Sequence, residues 1–105
     1  AQPLRRIIES KVSKVGSGFY GDFQEYGLYI FCKDDLSEEE VILTMEYTSD
    51  LQRHLDIKYS KMYLSLIDRL YVCDLTEVDR LVRPTHCSRY DISKVMRKEF
   101  FMESI

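Results

Sequence analysis

A few arrangements in this sequence have residue types and spacings that could do chemistry. Gly16-Ser17-Gly18-Phe19-Tyr20-Gly21 matches G-x-G-x-x-G. Glycines at that spacing let a backbone approach phosphates and leave its amides exposed to them. The dinucleotide-binding form of the motif needs an apolar strand before it and a helix after it. Here Ser10 to Val15 is too polar for a buried parallel strand, and Asp22 to Gly27 is a poor helix start. His86-Cys87 places an imidazole beside a thiol. Neighbouring side chains diverge in most backbones, however, and a catalytic pair is normally assembled from distant positions. Neither C-x-x-C nor H-x-x-x-H, the spacings that suit zinc, occurs. Asp34-Asp35 with Glu38-Glu39-Glu40 is an acidic cluster without the alternating ligands and central glycine of a calcium loop, and it reads as a solvated turn. The sequence is therefore expected to carry no catalytic constellation, no metal and no cofactor.

Lys14-Val15-Gly16-Ser17-Gly18-Phe19-Tyr20-Gly21 resembles the glycine-rich loop of protein kinases, and Ile30-Phe31-Cys32-Lys33 resembles the strand that bears their phosphate-binding lysine. The resemblance implies a nucleotide-binding fragment at the Gly16–Gly21 loop. It covers about twenty residues, and neither H-R-D nor D-F-G is present. The catalytic base and the metal ligands of that family are thus missing.

Aromatic and basic residues suggest binding instead. Phe19, Tyr20, Phe23 and Tyr26 flank the glycines of the loop, and Phe100, Phe101 and Met102 make the end of the chain apolar. Phe100 fits a helix stripe with Ile92, Val95 and Met96, while Phe101 points elsewhere. Aromatics at such places can anchor a protein partner or a second copy of the chain. Residues 1–52 hold five Lys/Arg against ten Asp/Glu, and residues 53–105 ten against eight. Arg83, Arg89, Lys94, Arg97 and Lys98 concentrate the basic excess and could meet phosphates, with single-stranded bases stacking on the loop aromatics. The formal net charge of −3 opposes general nucleic-acid binding.

The elements that must position these residues follow from periodicity. Leu4 to Val15 fits a helix or a loose strand. Tyr26 to Lys33 is apolar on both faces, which predicts a central strand. Val41, Leu43, Met45 and Tyr47 alternate with polar residues and predict a second strand in an antiparallel hairpin, over the rival reading of Ser37 and Glu40 as a helix capping box. Leu51, Leu55, Tyr59, Met62, Leu66 and Leu70 step by three or four, which predicts a helix over 50–71. The rival reading ends that helix near Asp56 and makes Leu64 to Asp74 a strand. Further helices are expected at 76–83 and 91–102. The fold class is α+β, a small antiparallel sheet in the N-terminal half followed by helices; the alternative is a five-stranded barrel like the oligonucleotide-binding fold.

The 105 residues, 45% hydrophobic and 31% charged, suit one folded domain. The chain starts without Met, so a fragment of a larger protein is one expectation. No run approaches the roughly 20 apolar residues of a membrane span. The three widely spaced cysteines suggest unbridged thiols and an intracellular site, cytoplasmic or nuclear, with Cys32 and Cys73 as small hydrophobes. The expected function is a non-enzymatic protein-protein interaction module within a larger complex, using Phe19, Tyr20, Phe23, Phe100, Phe101 and Met102.

Overall fold

The computed structural model describes residues 2–76 and 87–92. Helix α1 runs Gln2–Gly16, strand β1 Gly27–Phe31 and helix α2 Glu38–Leu51. Strands β2, Lys61–Ser65, β3, Arg69–Asp74, and β4, Cys87–Asp91, complete the order. The mixed α and β content is as expected, but a helix comes first and the sheet is assembled mainly from the second half.

In α1, Ile8, Val12 and Val15 step by four and three residues and are buried, which resolves the ambiguous stretch in favour of a helix. The stretch predicted as a strand over Val41 to Tyr47 is α2. Its capping box decides the matter: the Ser37 hydroxyl accepts from the Glu40 N–H, and the Glu40 carboxylate accepts from the Ser37 N–H, each at 3.1 Å. Glu38, Glu39 and Glu40 fill the first turn, where the helix dipole favours negative charge. The buried stripe is Val41, Met45 and Thr48.

The helix predicted over 50–71 does not form. Its region holds the end of α2, a loop, and the hairpin β2–β3, closer to the rival strand reading. Met62 and Leu64 are buried on β2, as are Tyr71 and Cys73 on β3, with register Met62↔Cys73 and Leu64↔Tyr71. Of the other two predicted helices, residues 77–86 and those from 93 onward lie outside the described residues. Asp91, expected in the last helix, closes strand β4.

The sheet order is β1-β2-β3-β4. β1 and β2 are parallel, joined by α2 in a βαβ unit; the other pairs are antiparallel. This is an open mixed sheet, so the barrel alternative is not supported. β1, expected to be central, has β2 as its only neighbour among the described residues and lies at the edge. Leu28, Ile30, Met62, Leu64, Tyr71 and Cys73 face α1 and α2 and form the core with them. No helix among the described residues is long and apolar enough to cross a membrane.

Cys73 is not the free apolar thiol expected. It is fully buried, sits opposite Cys87 across β3 and β4, and joins it in a disulfide. Cys32 remains a free thiol.

Candidate functional site

The glycine-rich loop begins where α1 ends, and the first glycines serve that ending. Phe19 N–H donates to the Lys14 carbonyl and Gly18 N–H to the Val15 carbonyl, each at 3.1 Å. Gly18 has φ +78°. These bonds and this left-handed residue form the Schellman helix stop, in which glycine avoids the Cβ clash. Lys14 lays its ammonium 5.5 Å from the Phe19 ring centroid across the same stop. A turn follows, closed by Gly21 N–H on the Gly18 carbonyl at 3.0 Å, with Gly21 at φ +85°. Replacing Gly18 by alanine is expected to cost about 1–2 kcal/mol, the strain of a left-handed non-glycine residue. Urea unfolding of Gly18→Ala measures this; a variant as stable as the wild type would contradict the helix-stop role.

Tyr26 fixes the rest of the loop. Its hydroxyl donates to the Gly21 carbonyl and accepts from the Phe23 N–H, the latter at 2.9 Å. Its ring meets Phe23 edge-on, centroids 5.9 Å apart, as Phe19 and Tyr20 meet at 5.2 Å. Phe19 and Phe23 stay 69% and 68% exposed, while Tyr20 and Tyr26 are half-buried against the core. Lys11, Tyr20, Phe23, Tyr26, Tyr29 and Tyr59 line a cleft of about 340 Å³ beside β1. At its floor, the Tyr59 hydroxyl donates to the Lys11 carbonyl at 3.0 Å. Burial, and then the neighbouring Tyr20 hydroxyl, hold the Tyr59 phenol well above its ordinary range. It stays neutral and acts as a packing and hydrogen-bonding group.

Charged side chains on the helix-facing side of β3 and β4 are tied together. Arg69 donates to the Tyr71 hydroxyl at 2.9 Å, to Asp68 at 2.8 Å and to Asp35 at 3.0 Å, and also to the Leu36 carbonyl. It thereby pins β3 to the loop before α2. The Asp68 carboxyl is held below its ordinary range first by its hydrogen bond with Arg69. Arg89 meets Glu38 at 2.8 Å and Asp91 at 2.9 Å. On α2, the Tyr47 phenol is raised first by its hydrogen bond to Glu9, 2.5 Å away. These contacts tie the sheet to the loop before α2 and to the start of α2.

The loop members of the sequence-derived set, Phe19, Tyr20 and Phe23, are thus brought together beside β1. Phe100, Phe101 and Met102 lie outside the described residues, as do Arg83, Lys94, Arg97, Lys98 and His86. Arg89 sits on the far strand of the sheet, engaged by two carboxylates. Sequence reasoning missed Tyr29, which is 61% exposed on β1. Its signal was present in Leu28-Tyr29-Ile30-Phe31, whose two apolar faces were read as burial in a sheet interior. No group of three or more His, Cys, Asp and Glu among the described residues is placed to hold a metal ion. No protein-family model, curated protein or solved structure matches the chain.

Proposed function

We propose that this domain is a non-enzymatic protein-protein interaction module, part of a larger complex, that docks a protein partner through loop 17–26 and the adjoining edge of β1. The exposure of Phe19 and Phe23 on a loop fixed by its own hydrogen bonds carries this reading. Exposed rings on a floppy segment would lose much freedom on docking. Rings on a fixed loop lose little, and buried aromatics supply most of the affinity at many interfaces.

The same rings could stack on bases, but that reading also needs cations for the phosphates. Of its basic residues, the described one, Arg89, is committed to Glu38 and Asp91. Nucleotide binding at Gly16–Gly21 has less support still. The loop follows a helix C-terminus, the carbonyl end of the dipole, which repels phosphate.

A photo-cross-linking residue at Phe23, with a control at exposed Ser13 on α1, tests the proposal. Protein adducts of defined mass are expected from position 23, absent from position 13 and reduced by Phe19→Ser. No adduct, or the same adducts from both positions, would remove the reading.

A further inference from the structure

We infer that the cleft beside β1 receives an arginine side chain of the protein partner, its guanidinium laid against the aromatic rings and paired with the Glu25 carboxylate. The inference rests on the interaction-module reading and names what the partner presents.

Rings supply the first half of such a site. Tyr20, Phe23, Tyr26, Tyr29 and Tyr59 all line this cleft of about 340 Å³. The face of an aromatic ring is the negative part of its quadrupole and attracts a cation lying within about 6 Å of the centroid. The neighbouring ring of the same loop already does so: the Lys14 ammonium lies 5.5 Å from the Phe19 centroid. The cleft is also built before a guest arrives. The Tyr26 hydroxyl bonds the loop at the Gly21 carbonyl and the Phe23 N–H, and the Phe23 ring stands edge-on to Tyr26 at 88°. Tyr59 is buried at the floor, whereas Phe23 is exposed and marks the mouth.

Charge supplies the second half. Residues 19–26 contain Asp22 and Glu25 and no Lys or Arg. Both carboxylates are exposed. Glu25 lines the cleft, and it enters no salt bridge among the described residues. Among the described residues Lys11 is the one basic group of the lining, and it opposes a cationic guest. A phosphate or an acidic peptide meets two carboxylates at this loop, and an apolar segment gains nothing from Glu25. A cation gains from the rings and the carboxylate together. Arginine suits the site better than lysine. Its guanidinium is flat and stacks on a ring, it is weakly hydrated and so leaves water readily, and its fork of donors matches a carboxylate.

Chemical-shift titration of the isotope-labelled chain tests this. The probes are a blocked Gly-Ser-Arg-Ser-Gly peptide and the same peptide with citrulline, which keeps the shape of arginine and loses its charge. The arginine peptide is expected to shift the backbone amides of residues 23–29 with a Kd on the order of 1 mM. The citrulline peptide should bind about fivefold more weakly. Glu25→Gln should weaken the arginine peptide about threefold, and Lys11→Met, which removes the opposing charge, should tighten it about twofold. Phe23→Ala keeps every charge and should weaken it about threefold, which separates a ring-bound guest from general attraction to an acidic chain. The spectra themselves report whether each variant is folded. No response to either peptide, equal affinity for both, or an arginine affinity that Glu25→Gln and Phe23→Ala leave unchanged overturns the inference. If cross-links from Phe23 to a protein persist in that case, the interaction module stands without the arginine. If they are absent as well, both readings fall.

Discussion

Replacing Gln52 by alanine is expected to destabilise the fold by about 2–6 kcal/mol, although the side chain is polar. Gln52 is 2% exposed and follows directly on α2. Its amide N–H donates to the Tyr59 carbonyl at 2.7 Å, and its carbonyl oxygen accepts from the Tyr59 N–H at 2.9 Å. One side chain thus satisfies both backbone groups of a buried residue and closes the loop that feeds β2. Alanine leaves a donor and an acceptor buried without partners, each costing about 1–3 kcal/mol. The sum is a large share of the 5–15 kcal/mol typical of a domain. Gln52→Leu separates hydrogen bonding from packing: it fills most of the volume and satisfies neither group. Urea unfolding of both variants should show a lower midpoint with an unchanged slope. A leucine variant within about 0.5 kcal/mol of the wild type would show that packing, not the bidentate bond, is what Gln52 supplies.

Gln52 also explains why the middle of the chain is hard to read. The buried face of α2 is Val41, Met45 and Thr48, and Gln52 continues it. Two of these four positions are polar, so a search for apolar periodicity passes over the true helical stripe. It finds instead the alternation of Val41, Leu43, Met45 and Tyr47, of which Leu43 is 55% exposed. The capping box at Ser37 and Glu40 was the better guide, because it reports a local backbone geometry rather than a burial pattern. The four-residue spacing from Leu51 to Leu70 misleads in the opposite way. Met62 and Leu66 lie on that stripe and are buried, but so are Leu64, Tyr71 and Cys73, which lie off it. The stripe joins positions from the end of α2, the following loop, β2, the β2–β3 turn and β3, and of these only Met62 belongs to the shared inner face of the two strands.

The candidate surface was legible in part. Glycines and aromatics between Val15 and Tyr26 marked a loop with ring-bearing positions, and Phe19 and Phe23 are exposed there. That Gly18 ends a helix could not be seen while Leu4 to Val15 remained open between helix and strand. The edge position of β1 was not legible at all. A strand apolar on both faces fits the interior of a sheet and the margin of the described strands alike; the sequence of one strand does not distinguish the two.

Separating Cys73 from Cys87 is expected to cost about 3 kcal/mol, which for a domain of this size lowers the melting temperature by about 10–20 °C. The two residues are 14 apart in sequence, and bridging a loop of that length restricts the unfolded chain by about that amount. Their pairing depends on register: it needs β3 and β4 aligned so that Cys73 faces Cys87. Sequence spacing alone carries no such information, which is why three scattered cysteines suggested free thiols. The bridge also sits against the core, with the Cys87 sulfur 3.2 Å from that of Met45 on α2. It therefore fastens the edge strand β4 to the layer that packs against α2. Protein isolated without reductant and then unfolded should titrate one thiol, Cys32, and three after reduction. Cys73→Ala/Cys87→Ala should melt lower than the oxidised wild type and close to the reduced one. Three thiols before reduction would disprove the bridge. A double variant as stable as the oxidised protein would show that core packing alone holds β4 in place.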